Sequence, residues 1–141
     1  MNPLKEDSPV EIIEHATHAV VHPRGYLNGA TGEQIDNACS ELLQKGKSRI
    51  VINFEHVETI NTMGIANLVA VLEKIGRRNG VICFCSLGAS NRQIFDVLDI
   101  SRAVLIFDTE QDALKHLADR YGIQDQQAGN SSAPTPAQSQ K

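Results

Sequence analysis

The sequence lacks tryptophan and has only four phenylalanines and two tyrosines among its 141 residues. So few aromatic side chains leave little material for the stacking platforms on which single-stranded nucleic acids bind. Basic residues are not in excess either, since 13 Lys and Arg stand against 17 Asp and Glu, for a formal net charge of −4. We therefore expect no nucleic-acid partner.

Long apolar runs and a disulfide framework are also absent. No stretch approaches the roughly 18 apolar residues that a transmembrane helix requires, and the N-terminal sequence MNPLKEDSPV has no apolar core of a secretory signal. Three cysteines form an odd set without framework spacing, which favours a reducing compartment. These absences predict a small, acidic, soluble cytoplasmic protein that does not bind a membrane.

Motifs of cofactor binding and catalysis are missing as well. Neither G-x-G-x-x-G nor G-x-x-x-x-G-K-[ST] occurs, and there is no G-x-S-x-G elbow. The acidic residues Glu55, Asp96 and Asp99 are scattered rather than paired. We therefore predict no catalytic residues, no cofactor and no enzymatic activity, and we rank an enzyme or small-ligand module last among the candidate functions.

Histidines and cysteines could together suggest a metal site, but their pattern does not favour one. His15, His18 and His22 lie in a strand-turn-strand segment without a set of cysteines or carboxylates to complete a site, so we interpret them as surface residues of an edge strand. We interpret the cysteines as small core hydrophobes: Cys39, Cys83 and Cys85. No metal is expected.

What the sequence does contain is an alternation of β-prone and amphipathic segments in the order β-β-α-β-α-β-α-β-α. The predicted strands are Val10 to Glu14, His18 to Val21, Ile50 to Phe54, Val81 to Cys85 and Val104 to Phe107. The predicted helices start near Ala30, Thr62, Gln93 and Thr109. This order indicates an α/β fold with a mostly parallel central sheet, an antiparallel N-terminal edge strand and about four flanking helices.

The ends of the chain differ in composition from its middle. From Gln124 to Lys141 there is no large aliphatic or aromatic residue, so this stretch cannot bury enough apolar surface to offset its ordering entropy. We predict an N-terminal extension over residues 1–9, one domain over 10–121 and a disordered polar tail over 122–141.

Two helix starts carry recognisable local patterns, and the junction before the second helix is the strongest feature of the sequence. Thr31 and Gln34 have the spacing of a capping box at the first helix. At the second, Thr62 follows a buried strand and a loop, which places its hydroxyl at a helix N-terminus beyond the carboxyl end of a parallel strand. The field there favours negative charge, and Gly64 permits close approach of another backbone. The alternative is that Asn61 or Thr62 simply caps the helix.

With its surroundings, this junction resembles the STAS domain of bacterial anti-anti-sigma factors. The family's Gly-x-Leu-Asp turn before its first helix corresponds to Gly25-Tyr26-Leu27-Asn28, and its Asp-Ser-Ser/Thr-Gly motif to Asn61-Thr62-Met63-Gly64. The approach from Ile52 to Val57 is similar to the family's strand and following loop. The order of elements from about residue 10 to 120 also matches, so the resemblance implies the STAS fold.

The resemblance implies partner switching rather than catalysis. In that family the unphosphorylated protein binds an anti-sigma factor kinase of the histidine-kinase-like ATPase fold, phosphorylation releases it, and a PP2C-type phosphatase reverses the modification. By position the phosphoacceptor here is Thr62. The implied partner-binding residues are Asn28, Asn61, Met63, Gly64 and Ile65.

Three positions depart from the family pattern. Asn28 and Asn61 stand where the family usually has aspartate, and Met63 replaces a second hydroxyl residue, which leaves Thr62 as the acceptor of the motif. The two asparagines motivate a second hypothesis, in which the same fold serves as an unphosphorylated scaffold or as a transporter-associated subunit in another bacterial signalling pathway.

Overall fold

The computed structural model describes residues 8–121, so the predicted tail over 122–141 and most of the predicted N-terminal extension lie outside the described residues. The strands are β1 Val10–Glu14, β2 His18–Leu27, β3 Arg49–Asn53, β4 His56–Ile60, β5 Val81–Cys85 and β6 Leu105–Phe107. The helices are α1 Gly29–Gln44, α2 Thr62–Arg77, α3 Ala89–Val97 and α4 Glu110–Tyr121, with a short 3-10 turn at Ile100–Arg102.

The sheet has the order β1-β2-β3-β5-β6, with β4 paired to β2 outside this path. β1 runs antiparallel to β2, and the other pairs are parallel. The predicted fold class, a mostly parallel sheet with an antiparallel N-terminal edge strand and four helices, is confirmed. Parallel neighbours require helical crossovers, and the alternation of strands and helices in the sequence supplies them.

The strand β2 is longer than predicted because its two halves pair with two different strands. His18 to Val21 pair with β3, and Arg24 to Leu27 pair with β4. Pro23, which has no N–H to donate, lies at the changeover, and the pairing shifts register between Gly25 and Tyr26. Gly25 has a φ of +77°, a left-handed conformation that glycine adopts without strain.

The strand β4 was not predicted, because the sequence there was interpreted as a loop. Its buried residues, Val57 and Ile60, are three positions apart rather than two, so they break the alternation that identifies a strand. The register shift beside Gly25 accounts for this spacing, since Gly25 pairs with Val57 whereas Tyr26 pairs with Thr59. Glu58 is the extra residue on β4.

The core is divided between the two faces of the sheet. On one face, side chains of α1, α2 and α3 pack on the strands around a cluster of three aromatic rings: Phe54, Phe84 and Phe95. On the other face, Ala113 and Leu117 of α4 cover Val51 and its neighbours. The domain is thus three layers deep, and β3 and β5 lie at its centre.

The predicted packing role of the cysteines is confirmed. All three side chains are fully buried, Cys39 on the core-facing side of α1 and the other two under α4. Burial raises the pKa of the Cys39 thiol to about 12 and the pKa of Cys83 and of Cys85 to about 11. The thiols are therefore protonated near neutral pH and behave as small hydrophobes.

The prediction of surface histidines is wrong for His18, which is only 3% exposed. Its position on β2 directs it to the sheet face under α4, and the ring of the exposed His15 stacks on it with centroids 4.4 Å apart. His22 is half-buried, with Nε2 3.5 Å from a carboxylate oxygen of Glu110. Within residues 8–121 no group of three or more His, Cys, Asp or Glu could hold a metal ion.

The third helix differs from its prediction in both extent and orientation. It begins at Ala89, four residues before the predicted Gln93, and it buries Phe95 and Asn91. The helical spacing of Ile94, Val97 and Leu98 predicts one apolar face, but Val97 and Leu98 are 74% and 52% exposed. In the described part of the chain, no helix is long and apolar enough to cross a membrane.

Candidate functional site

Two helix starts lie side by side at one end of the sheet, because β2 and β4 are parallel neighbours that lead directly into α1 and α2. Each helix has an asparagine cap in extended conformation. The Oδ1 of Asn28 accepts from the backbone N–H of Thr31 at 3.0 Å, and the Oδ1 of Asn61 accepts from Gly64 N–H at 2.9 Å. Of the capping alternatives considered for α2, the structure selects Asn61.

The predicted capping box at Thr31 is wrong. Asn28 occupies the cap position, and Thr31 lies in the first turn of α1, where it is only 5% exposed. Its hydroxyl donates a hydrogen bond of 3.1 Å to the backbone oxygen of Tyr26. Thr31 therefore ties α1 to the end of β2, and its hydroxyl is not available to a partner.

The start of α2 is fastened tightly to the end of β2. The Asn61 N–H donates to the backbone oxygen of Leu27 at 3.1 Å. A Cβ atom at Gly64 would lie 2.2 Å from that same oxygen and 2.6 Å from the Leu27 side chain. The prediction that Gly64 allows close approach of another backbone is confirmed, and the backbone in question is that of Leu27.

Further contacts hold the two helices together just below the caps. Asn67 donates from its side-chain amide to the backbone oxygens of Met63, at 3.0 Å, and Gly29, at 3.3 Å. On the facing side, a Cβ at Gly32 would lie 2.7 Å from the Asn67 Cβ. The first turns of α1 and α2 therefore form one packed unit with a fixed relative position.

The residues named as site residues divide into an outward and an inward group. Thr62 is exposed and Met63 is 58% exposed, so both present side chains to solvent at the start of α2. Asn28 and Asn61 are half-buried beside them as caps. Gly64 is buried and Ile65 is half-buried against the core, so these two contribute packing within the domain.

The outward group includes one residue that the motif comparison did not select. Tyr26 is 51% exposed, and its hydroxyl oxygen accepts a hydrogen bond of 3.1 Å from the side-chain amide of Asn61. Tyr26 lies on β2 and Asn61 follows β4, so only the pairing of these strands brings them together. No local pattern signalled this contact, because β4, whose pairing with β2 makes it, was itself interpreted as a loop.

The electrostatics of the site follow from these assignments. Both caps are uncharged amides, and the start of α2 contributes the partial positive charge of a helix N-terminus. No acidic residue occupies the first turn of either helix. The Thr62 hydroxyl has no hydrogen-bond partner within residues 8–121, because Asn61 performs the capping. The site thus offers a solvent-facing hydroxyl in a field that favours negative charge.

Comparison of the chain with known proteins identifies its family and several relatives. The model of the STAS domain family matches residues 9–113. The anti-sigma-F factor antagonist RsfB of Mycobacterium tuberculosis is 26% identical over 107 residues, covering 74% of this chain and 85% of RsfB. BtrV of Bordetella bronchiseptica, which carries the name of an anti-sigma factor antagonist, is 23% identical over 74 residues. That match covers 52% of this chain and 64% of BtrV.

Solved structures share the fold at lower identity. The unphosphorylated form of the anti-sigma factor antagonist SpoIIAA superimposes with a TM-score of 0.63 at 18% identity, covering 77% of this chain and 96% of SpoIIAA. The phosphorylated form of SpoIIAA, a cell fate determinant of Bacillus, gives a TM-score of 0.63 at 17% identity, with 77% and 98% covered.

Proposed function

Since the chain belongs to the STAS domain family, we propose that it is an anti-sigma factor antagonist whose partner binding is controlled by phosphorylation of Thr62. Curated relatives carry the names of anti-sigma factor antagonists, and SpoIIAA has been solved in both phosphorylated and unphosphorylated forms. The proposed role is that of a cytoplasmic bacterial regulator that binds a protein rather than an enzyme that converts a substrate.

The observation that carries this proposal is the solvent-facing hydroxyl of Thr62 at the start of α2. A phosphoacceptor must be reachable by a kinase, and Thr62 is exposed without a hydrogen-bond partner in the described chain. The cap of α2 is Asn61, so modification of Thr62 leaves the helix cap in place. Thr31, at the start of α1, is buried and meets neither requirement, and the exposed Thr109 before α4 already uses its hydroxyl to accept from the Asp112 N–H.

The transfer is a phosphoryl transfer from ATP held by the partner, an anti-sigma factor kinase of the histidine-kinase-like ATPase fold. The Oγ1 of Thr62 bonds to the γ-phosphorus, the bond from that phosphorus to ADP breaks, and the hydroxyl proton passes to a base on the kinase. A PP2C-type phosphatase reverses the change. Water then replaces the threonine oxygen on phosphorus, which releases inorganic phosphate and restores the hydroxyl.

Phosphorylation controls partner binding by raising the free-energy cost of burying this surface in a complex. The phosphate adds a charge of about −1.5 to −2, which the start of α2 tolerates while it is solvated. A partner seated on Met63 and Tyr26 would have to take that charge out of water, and an unpaired buried charge is costly. One local modification can therefore release a complex while the domain keeps its fold.

The test combines phosphate mapping with a binding measurement. The chain is incubated with ATP and the histidine-kinase-like ATPase encoded near its gene, and the modified residue is located by tandem mass spectrometry. We expect phosphate on Thr62 and none in Thr62→Val. We also expect the purified phosphoprotein to bind that ATPase about 100-fold more weakly than the unmodified chain, a difference of about 2.8 kcal/mol.

Thr59→Val is the matched control, because Thr59 is another exposed threonine, three residues earlier on β4. This variant should be phosphorylated and released as the unaltered chain is. Phosphate on a residue other than Thr62, with transfer unaffected by Thr62→Val, would contradict the acceptor assignment. Binding of the ATPase without any phosphoryl transfer would instead favour the unphosphorylated scaffold.

A further inference from the structure

We propose that the hydroxyl of Tyr26 donates a hydrogen bond to the phosphate carried by Thr62, so that Tyr26 positions the modified side chain at the start of α2. This inference rests on the proposed function and concerns the regulation of the same site. It rests on the hydrogen bonds of the Asn61 side chain, which determine whether the phenolic proton of Tyr26 is free.

The orientation of the Asn61 side chain is fixed by its cap bond. The Gly64 N–H lies 2.9 Å from this side chain, and only the amide oxygen can accept from an N–H. The amide nitrogen therefore points the other way, toward the Tyr26 hydroxyl at 3.1 Å. Since that nitrogen carries only donors, Tyr26 accepts in this bond and does not donate.

The phenolic proton of Tyr26 consequently remains available. A tyrosine hydroxyl has one proton to give, and no residue within 8–121 accepts it. The side chain is 51% exposed, so this proton is accessible from solvent. A half-exposed phenol with a free donor is well suited to an anion that arrives from solvent.

The strand pairing brings this donor to the start of α2, in contact with Asn61. Tyr26 pairs with Thr59 across β2 and β4, and the backbone bond from Asn61 to Leu27 fixes the next step of the ladder. Thr62 directly follows Asn61, whose side chain contacts the phenol. Hydrogen bonds to charged acceptors are shorter and stronger than neutral ones, so phosphate oxygens compete effectively with water for the proton.

The asparagine at position 61 is what makes this arrangement possible. With a carboxylate at that position, both oxygens would be acceptors and the phenol would donate to one of them. The departure from the family's usual aspartate therefore converts Tyr26 from a donor that is already used into a donor that is free. Asn61 and Tyr26 act as a pair, with Asn61 directing the phenolic proton outward.

The test uses phosphothreonine installed at position 62 by an expanded genetic code, so that no kinase is required. A phosphorus-31 NMR titration gives the pKa of the second phosphate ionisation, which lies near 6 for a free phosphate ester. A donated hydrogen bond stabilises the dianion, so Tyr26→Phe should raise this pKa by about 0.5. Thr59→Val, which removes a neighbouring hydroxyl on the same pair of strands, should leave it unchanged.

The charged and titratable side chains on the second half of β2, on β4 and on the first halves of α1 and α2 stay the same in all variants, so the difference isolates the hydroxyl: Arg24, Glu33, Asp36, His56 and Glu58. Amide NMR spectra verify that each variant keeps the fold. An unchanged pKa in Tyr26→Phe, or an equal rise in Thr59→Val, would overturn the proposal. Failure of a kinase to modify Thr62 would contradict the proposed function but would not alter this titration, so the two failures are distinguishable.

Discussion

The starts of α1 and α2 are built alike but present their threonines differently. Both follow strands of the same parallel pair, and both are capped by an asparagine whose oxygen accepts from the N–H three residues later. A threonine lies in the first turn of each helix. The hydroxyl of Thr31 is buried and bonded to Tyr26, whereas that of Thr62 is exposed and unbonded within the described chain.

The difference comes from where each threonine stands relative to its cap. Thr62 directly follows Asn61, at the first helical position, where the side chain points away from the body of the domain into solvent. Thr31 is three residues after Asn28, where the helix has turned its side chain back toward the strand. Two similar motifs therefore give one structural hydroxyl and one hydroxyl free for modification.

The largest expected effect follows from disrupting the close contact between the start of α2 and the end of β2. In Gly64→Ala, the new Cβ would lie 2.2 Å from the backbone oxygen of Leu27, which cannot move without disturbing the bond from Asn61. We expect a loss of about 3 kcal/mol or more in the free energy of unfolding, measured by urea denaturation. The same substitution would also loosen the contact that holds the exposed start of α2 against β2.

Gly76→Ala is the control on the same helix, because a Cβ there has no neighbour within 4 Å. Removal of a helix-interior glycine should raise the free energy of unfolding by about 0.5 kcal/mol. Equal effects of the two substitutions would show that the close contact with Leu27 does not matter.

The second prediction compares the two threonines directly. Thr31→Val keeps the shape of the side chain but leaves the Tyr26 backbone oxygen without this donor, so it should cost about 1 kcal/mol of unfolding free energy. Thr62→Val removes a hydroxyl without a protein partner and should change stability by less than about 0.5 kcal/mol. Thermal or urea unfolding measures both, and a larger cost at Thr62 would contradict the comparison.

How far the sequence could predict this difference depends on the range of the interactions involved. Local patterns were sufficient to identify four helices, though not the start and orientation of α3, and to place the Thr62 hydroxyl at a helix start. They were not sufficient for Thr31, where the spacing to Gln34 indicated a capping box while Asn28, directly after β2, provides the cap. Each asparagine and threonine is a competent cap, and the choice between them is made by where the strand ends.

Features that depend on pairing between distant segments were out of reach of local patterns. The strand β4 is a strand only because the second half of β2 pairs with it, and its shifted register hides the alternation of buried residues. The bond between Tyr26 and Asn61 joins residues 35 positions apart. The orientation of α3, with Val97 and Leu98 outward, is likewise set by packing of Phe95 and not by local hydrophobicity.

The third prediction tests the caps themselves. Asn28→Ala and Asn61→Ala each remove the acceptor for a first-turn N–H, at a cost of about 1 kcal/mol in unfolding free energy. The loss at Asn61 should be the larger, because that side chain also donates to Tyr26. Adding Tyr26→Phe to each variant completes a double-mutant cycle. We expect coupling to Tyr26 for Asn61 and none for Asn28.

The smallest expected effect comes from converting the amide caps to carboxylates. Asn28→Asp keeps the acceptor for Thr31 and adds a negative charge at the start of α1, which should raise the unfolding free energy by about 0.5 kcal/mol. Asn61→Asp should raise the unfolding free energy by a similar amount, with the Tyr26 hydroxyl now donating to the carboxylate. A carboxylate stabilised in the folded state has a lowered pKa, so both gains are present at neutral pH and are lost as the pH falls through about 4. Urea titrations at pH 7 and pH 3 check the sign, and gains that persist at pH 3 would show that charge is not their cause.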